Sequence, residues 1–183
     1  MSKVKRLIDS YGQFISLPWR DDTAAAQRVI FCVYPETEEQ RLRANLDEFE
    51  LVTRQNGHEW VTFDLTNTFA LWMAEQKYAT SYFKSPSKLT TAIHRYLEWL
   101  EQRFMWVLNE HSIDDNHVVA VHGVGSLFGL LKVKEVVDRL APHITGRLVV
   151  LFPGSFENNN YRLLDGYDGW NYLATPITSD GVR

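Results

Sequence analysis

Apolar positions set the first expectations. Val4, Leu7, Ile8, Tyr11 and Ile15 recur at helical spacing, so residues 3–16 are predicted as an amphipathic helix. The stretch "SLPWRDDTAAAQ" follows as a loop, with Pro18 stopping the helix. "RVIFCVY" (28–34) is a continuous apolar run, the pattern of a strand buried on both faces. Thr37 and Gln40 then have capping-box spacing, with Leu42, Leu46 and Phe49 on one helix face and Gly57 as the stop. "HEWVTFDL" is a second strand and "TNTFALWMAEQ" a short helix. Ser85-Pro86 opens a helix over about 87–110, striped by Leu89, Ile93, Tyr96, Leu97, Leu100, Phe104, Val107 and Leu108. At 1.5 Å per residue it would be roughly 35 Å long. "HVVAVHG" and "GRLVVLFPG" are further strands, with "LFGLLKVKEVVDRL" as the helix between them. The tail "NNNYRLLDGYDGWNYLATPI" carries two short strand-like runs joined at Asp-Gly turns.

Alternating strands and helices with apolar strand cores predict an α/β fold: one domain, a three-layer, Rossmann-like, mostly parallel sheet. The N-terminal helix and loop (1–20) and the long helix at 87–110 are additions to a core at 28–178. A chain of 183 residues suits one such domain.

Composition narrows the function classes. Apolar residues make 45% and charged residues 23%, an ordinary globular balance. Net charge is −4, and the only dense basic cluster is Lys3, Lys5 and Arg6, so direct nucleic-acid binding is disfavoured. The single cysteine, Cys32, has no disulfide partner within the chain and is expected to be buried. No apolar run reaches membrane-spanning length and no signal peptide is visible, so a cytoplasmic protein is expected. Aromatics reach 13%, including six Trp. Trp99 and Trp106 widen the stripe of the long helix, so either the helix is buried centrally or one side docks on another protein, burial being the favoured expectation.

"VVAVHGVGSLFGLL" (118–131) has the look of a strand entering a helix through a phosphate-holding glycine turn. Counted positions refuse each template. Phe128 stands where a dinucleotide fingerprint needs its third glycine. Counted from Gly123, a P-loop would need Gly, Lys and Ser/Thr where Phe128, Gly129 and Leu130 stand. Ser126 follows Gly125 directly, which excludes a Gly-x-Ser-x-Gly elbow. What remains is Ser126 as an N-cap, with a possible anion site at Gly123, Gly125 and Ser126. Ligands in open α/β sheets bind beyond the carboxyl ends of strands. Those ends offer Tyr34 and Glu36, Asp64 and Thr66, His122 and Ser126, and Gly154 and Ser155. His117 and His122 lie five apart on one strand and so point to opposite faces, which argues against a metal pair.

The segments "LPWR", "RVIFCVYPETEEQRLRANLDEFELVTRQNGHEWVTFDLTNTFALWM", "VVAVHGVGSLFG" and "GRLVVLFPGSFENNNYRLLDGYDGWNYLATPI" together resemble BrxB, a small component of BREX bacteriophage-defence systems classed as a domain of unknown function. The likeness runs from about residue 17 to 178, and the tail is its most specific part. It implies a bacterial cytoplasmic protein encoded beside a large ATPase (BrxC), an adenine methyltransferase (PglX) and an alkaline-phosphatase-superfamily protein (PglZ). PglZ is the expected partner, with BrxC and PglX as further candidates. The family assigns no catalytic motif, so the resemblance implies no catalytic residue, cofactor or metal. The expectation is a non-catalytic adaptor whose partner surface includes Tyr161, Arg162, Asp165, Trp170 and Tyr172, because Tyr, Trp and Arg favour interface anchors. Against it stands a nucleotide- or phosphate-binding sensor, or a weak hydrolase, using the strand-end cluster.

Overall fold

The computed structural model describes residues 1–166 and 169–183. The chain runs α1 (Lys3–Ile15), β1 (Val29–Tyr34), α2 (Glu39–Ala44), α3 (Leu46–Gln55), β2 (Glu59–Asp64), α4 (Thr68–Ala74), α5 (Ala79–Lys84), α6 (Leu89–Glu110), β3 (His117–His122), α7 (Val133–Leu140), β4 (Arg147–Glu157), β5 (Asn160–Leu163), β6 (Thr175–Thr178) and β7 (Gly181–Val182). The main sheet has the order β2-β3-β4-β1-β6-β7. Its first five strands pair in parallel, and β7 folds back antiparallel on β6. β5 pairs antiparallel with the far end of β4. This is the mostly parallel, Rossmann-like α/β fold that the strand pattern predicts.

The central strands are apolar because both of their faces are covered. Ile30, Cys32 and Tyr34 of β1 join Val118 and Ala120 of β3 in one core layer, under α1 to α3. Val29, Phe31 and Val33 join Val119 and Val121 in the other, under α4, α6 and α7. The chain steps from β1 to the far edge at β2 and then returns through β3 and β4. That reversal places the connecting helices on opposite faces, as a constant crossover hand requires. All five apolar positions read on α1 are buried, and Tyr11 shares a 2.6 Å hydroxyl hydrogen bond with Thr53 of α3.

Several expectations need correction. The helix after β1 is broken at Asn45, and no capping box forms at Thr37, because a 3₁₀ turn at Glu36–Glu38 occupies that position. Ser85 makes no side-chain cap, and a 3₁₀ turn at Pro86–Lys88 precedes α6. Trp99 is half-buried, but Trp106 stands 59% exposed. The second tail turn, at Asp168-Gly169, falls partly outside the described residues. Among the described residues, no helix is long and apolar enough to cross a membrane.

Candidate functional site

Tyr34, Asp64 and His122 each end a strand, and they lie on the same face of the sheet, beneath α2. The parallel register sets Asp64 directly beside His122. Their side chains approach to 3.5 Å, from Nδ1 to a carboxylate oxygen, without the alignment of a hydrogen bond. Asp64 closes a tight turn by accepting from the Thr66 amide at 2.9 Å and the Thr66 hydroxyl at 2.6 Å. Arg43 donates to the same hydroxyl at 2.9 Å and to Glu39 at 2.7 Å, and Glu39 also accepts from the Tyr34 phenol. A continuous hydrogen-bonded chain therefore joins α2 to the ends of β1 and β2, with His122 at the end of β3 beside it.

Burial governs the charges. Desolvation holds the His122 imidazole below its ordinary value, outweighing the attraction of Asp64, so the ring is neutral near pH 7. Burial works to raise the Asp64 carboxyl, but the two Thr66 hydrogen bonds, with His122 and Arg43 nearby, hold it below the usual carboxylate range. The Tyr34 phenol is pushed far up, first by burial and then by Glu39. The cluster brings together a histidine and a carboxylate, as the strand ends suggest. Its hydroxyls are already engaged. The Thr66 hydroxyl donates to Asp64, and the Ser126 hydroxyl faces the carbonyls of Leu65 at 2.9 Å and Gly123 at 2.7 Å.

The glycine turn differs from its prediction. Val124–Leu127 is a 3₁₀ turn, and α7 begins only at Val133, with Lys132 at its N-cap. Ser126 therefore caps no α-helix. Its hydroxyl pins the turn to backbone carbonyls, and the helix-terminal donors that motivated an anion site at Gly123, Gly125 and Ser126 lie elsewhere. Gly154 and Ser155 are not at a strand end either: β4 continues to Glu157, and these two residues pair with Leu163 and Arg162 of β5. His117 points away from His122 and bonds Asp114 at 2.6 Å.

The C-terminal segment forms a second site. Trp170 bridges to Tyr161 through two backbone hydrogen bonds, at 2.7 and 3.0 Å. These rings pack with Phe31, Phe152 and Tyr172 over the face of β1 and β4, with centroids 4.5–6.2 Å apart. An aromatic layer thus stands where a helix would otherwise cover the sheet. It divides the five predicted partner residues. Tyr161 is fully buried and directs its hydroxyl to the Ala174 carbonyl, so it cannot meet a partner. Trp170 and Tyr172 are half-buried, while Arg162 and Asp165 are exposed. The Asp138 carboxylate lies beside Tyr172, and burial followed by that charge raises the phenol.

Two clefts open around this layer. One, of about 660 Å³, lies between Phe128, Lys132, Lys134, Asp165 and Trp170. The other, of about 750 Å³, lies between Asp138, Phe156, Tyr172, Leu173 and Arg183. Phe128 is 51% and Leu173 82% exposed. Sequence reasoning missed both. Phe128 sits in a stretch that reads as helix, and Leu173 continues a strand-like alternation.

A family model described as "BREX protein BrxB" matches residues 62–176. The matched span holds Asp64, Thr66, His122 and the whole aromatic layer except Phe31. No curated protein and no solved structure matched the chain.

Proposed function

The chain belongs to the BrxB family and is a component of a BREX phage-defence system, and from that premise we propose that it is a non-catalytic adaptor binding a PglZ-type alkaline-phosphatase-superfamily protein. The docking surface is the one raised by the C-terminal segment. One observation carries this reading: Leu173, 82% exposed, projects from a segment whose neighbours Trp170 and Tyr172 are locked into the aromatic layer. An exposed apolar group at the edge of a cleft, on backbone held by its packed neighbours, is the form an interface anchor takes, since little backbone freedom remains to be lost on binding. Arg162 and Asp165 add polar contacts at its rim, and Phe128 a second apolar one.

Co-purification of the tagged chain with the proteins encoded beside it tests the reading. PglZ is expected in stoichiometric yield. Leu173→Asp with Arg162→Glu is expected to reduce its recovery at least about tenfold, because both positions are exposed and their loss removes anchors rather than core. Undiminished recovery would overturn the placement. Capture of BrxC or PglX in place of PglZ would overturn the choice of partner. The orphaned His122 Nδ1 beside Asp64 favours a second reading, a nucleotide- or phosphate-binding sensor with weak hydrolysis. Calorimetry against nucleotides tests it, and absence of heat at millimolar concentration ends it.

A further inference from the structure

Between Glu75 and Glu98 the chain has no acidic residue, yet it carries Lys77, Lys84, Lys88 and Arg95, with His94 beside them. The rest of the protein holds fifteen cations against nineteen in the whole chain and all twenty-three acids, a net charge of −8. The four cations are spaced four to seven residues apart, so they form no visible run. The fold sets them on consecutive, contacting elements: Lys77 precedes α5, Lys84 ends it, Lys88 closes the following 3₁₀ turn, and Arg95 lies about two turns into α6, at helical spacing from Lys88. Lys88 bonds back to Ser81 of α5 at 3.3 Å, which ties the two elements together. All four side chains are exposed, as is His94. No carboxylate among the described residues pairs with any of the four cations, as is true of every lysine in the described chain.

Two large aromatic side chains stand among these cations. Phe83 is 72% and Tyr78 60% exposed, and the Lys77 ammonium lies 5.5 Å from the centre of the Tyr78 ring. An ordinary solvated face mixes both signs of charge and hides its phenylalanines. This face does neither. Unpaired cations match a line of phosphates, and exposed rings between them match unstacked bases. A duplex would present the phosphates but not the base faces. We infer that the surface formed by α5, the Pro86–Lys88 turn and the start of α6 binds single-stranded nucleic acid, through phosphate contacts of Lys77, Lys84, Lys88 and Arg95 and base stacking on Tyr78 and Phe83. This activity is separate from the adaptor surface and does not depend on it.

Anisotropy of a labelled oligothymidylate of about 20 nucleotides, titrated with the full chain, tests the inference. Binding is expected at low salt, with log affinity falling against log salt at a slope of about −3, as four phosphate contacts on a single strand require. Lys84→Glu with Lys88→Glu should weaken binding more than about tenfold and flatten that slope. Tyr78→Ala with Phe83→Ala should weaken it about tenfold with the slope kept, because stacking displaces few ions. All four positions are exposed, and circular dichroism checks that each variant is folded. No binding at about 50 mM salt would overturn the inference. So would a duplex of equal length binding as tightly, or capture on phosphatidylserine vesicles without binding of the oligonucleotide.

Discussion

A methyl group on Gly123 would lie 2.4 Å from the Thr66 hydroxyl and 2.8 Å from Asp64 Oδ1, at a φ of +71°. Gly129 has a similar φ of +77° but open space around it. Gly123→Ala should therefore cost about 2–4 kcal/mol, from backbone strain plus displacement of the Asp64 turn. Gly129→Ala should cost only the strain, about 1–2 kcal/mol. Urea denaturation of the two variants distinguishes these causes, and equal losses would mean that the approach to Asp64 is not tight. His122 predicts a pH effect beside it. Unfolded histidine titrates near 6.5, and the buried ring titrates lower. Below about pH 6.5 the unfolded chain takes up a proton that the folded chain refuses, so stability falls as pH drops toward the folded value. Asp64 acts in the same direction at lower pH, since its depressed carboxyl loses stabilisation only as pH falls below the ordinary carboxylate range. His122→Asn should flatten the decline between about pH 7 and 5, and urea midpoints falling in parallel for both proteins would refute this. The Asp64–His122 contact was legible in the sequence because parallel strands of similar length bring their ends together. The burial of Tyr161 was not, because alternation in a short strand does not say which face is covered.

At the scale of elements, apolar spacing located α1, β1, β3 and α6 correctly but could not tell a helix from its imitation. Leu127 and Leu131 are four apart and buried, as on a helix, yet a 3₁₀ turn followed by a turn bond from the Leu131 amide to the Leu127 carbonyl supplies the same spacing. The break at Asn45 was hidden for the same reason, since Leu42 and Phe49 remain buried on both sides of it. In the C-terminal segment, aromatic rings rather than a periodic stripe make the layer. Trp170→Ala should therefore lower stability by about 2–3 kcal/mol, whereas Leu173→Ala should stay within about 0.5 kcal/mol. Thermal or urea unfolding of both variants checks this, and equal effects would mean that the segment is not anchored by its rings. On the other face, Tyr11→Phe removes the Thr53 partner from α1. Thr53 keeps its bond to the Phe49 carbonyl, so the expected cost is only about 1 kcal/mol.

Across the whole molecule, the net charge of −4 conceals a division that a single sum cannot show. A basic, aromatic face at residues 77–95 and a mixed apolar surface at the C-terminal segment share no residue. They also rest on different supports, α5 and α6 for one and the aromatic layer for the other. Substitutions at sites without common contacts act independently, which makes the two surfaces separable. Lys84→Glu with Lys88→Glu should leave recovery of the protein partner at the wild-type level while oligonucleotide binding falls. Leu173→Asp with Arg162→Glu should do the reverse, leaving both the affinity for oligothymidylate and its salt slope unchanged. Combining the four changes should lose both activities, each by the amount seen alone. If either pair abolished both, partner and nucleic acid would share one surface or one conformational change. The separation argued from charge and packing would then be wrong.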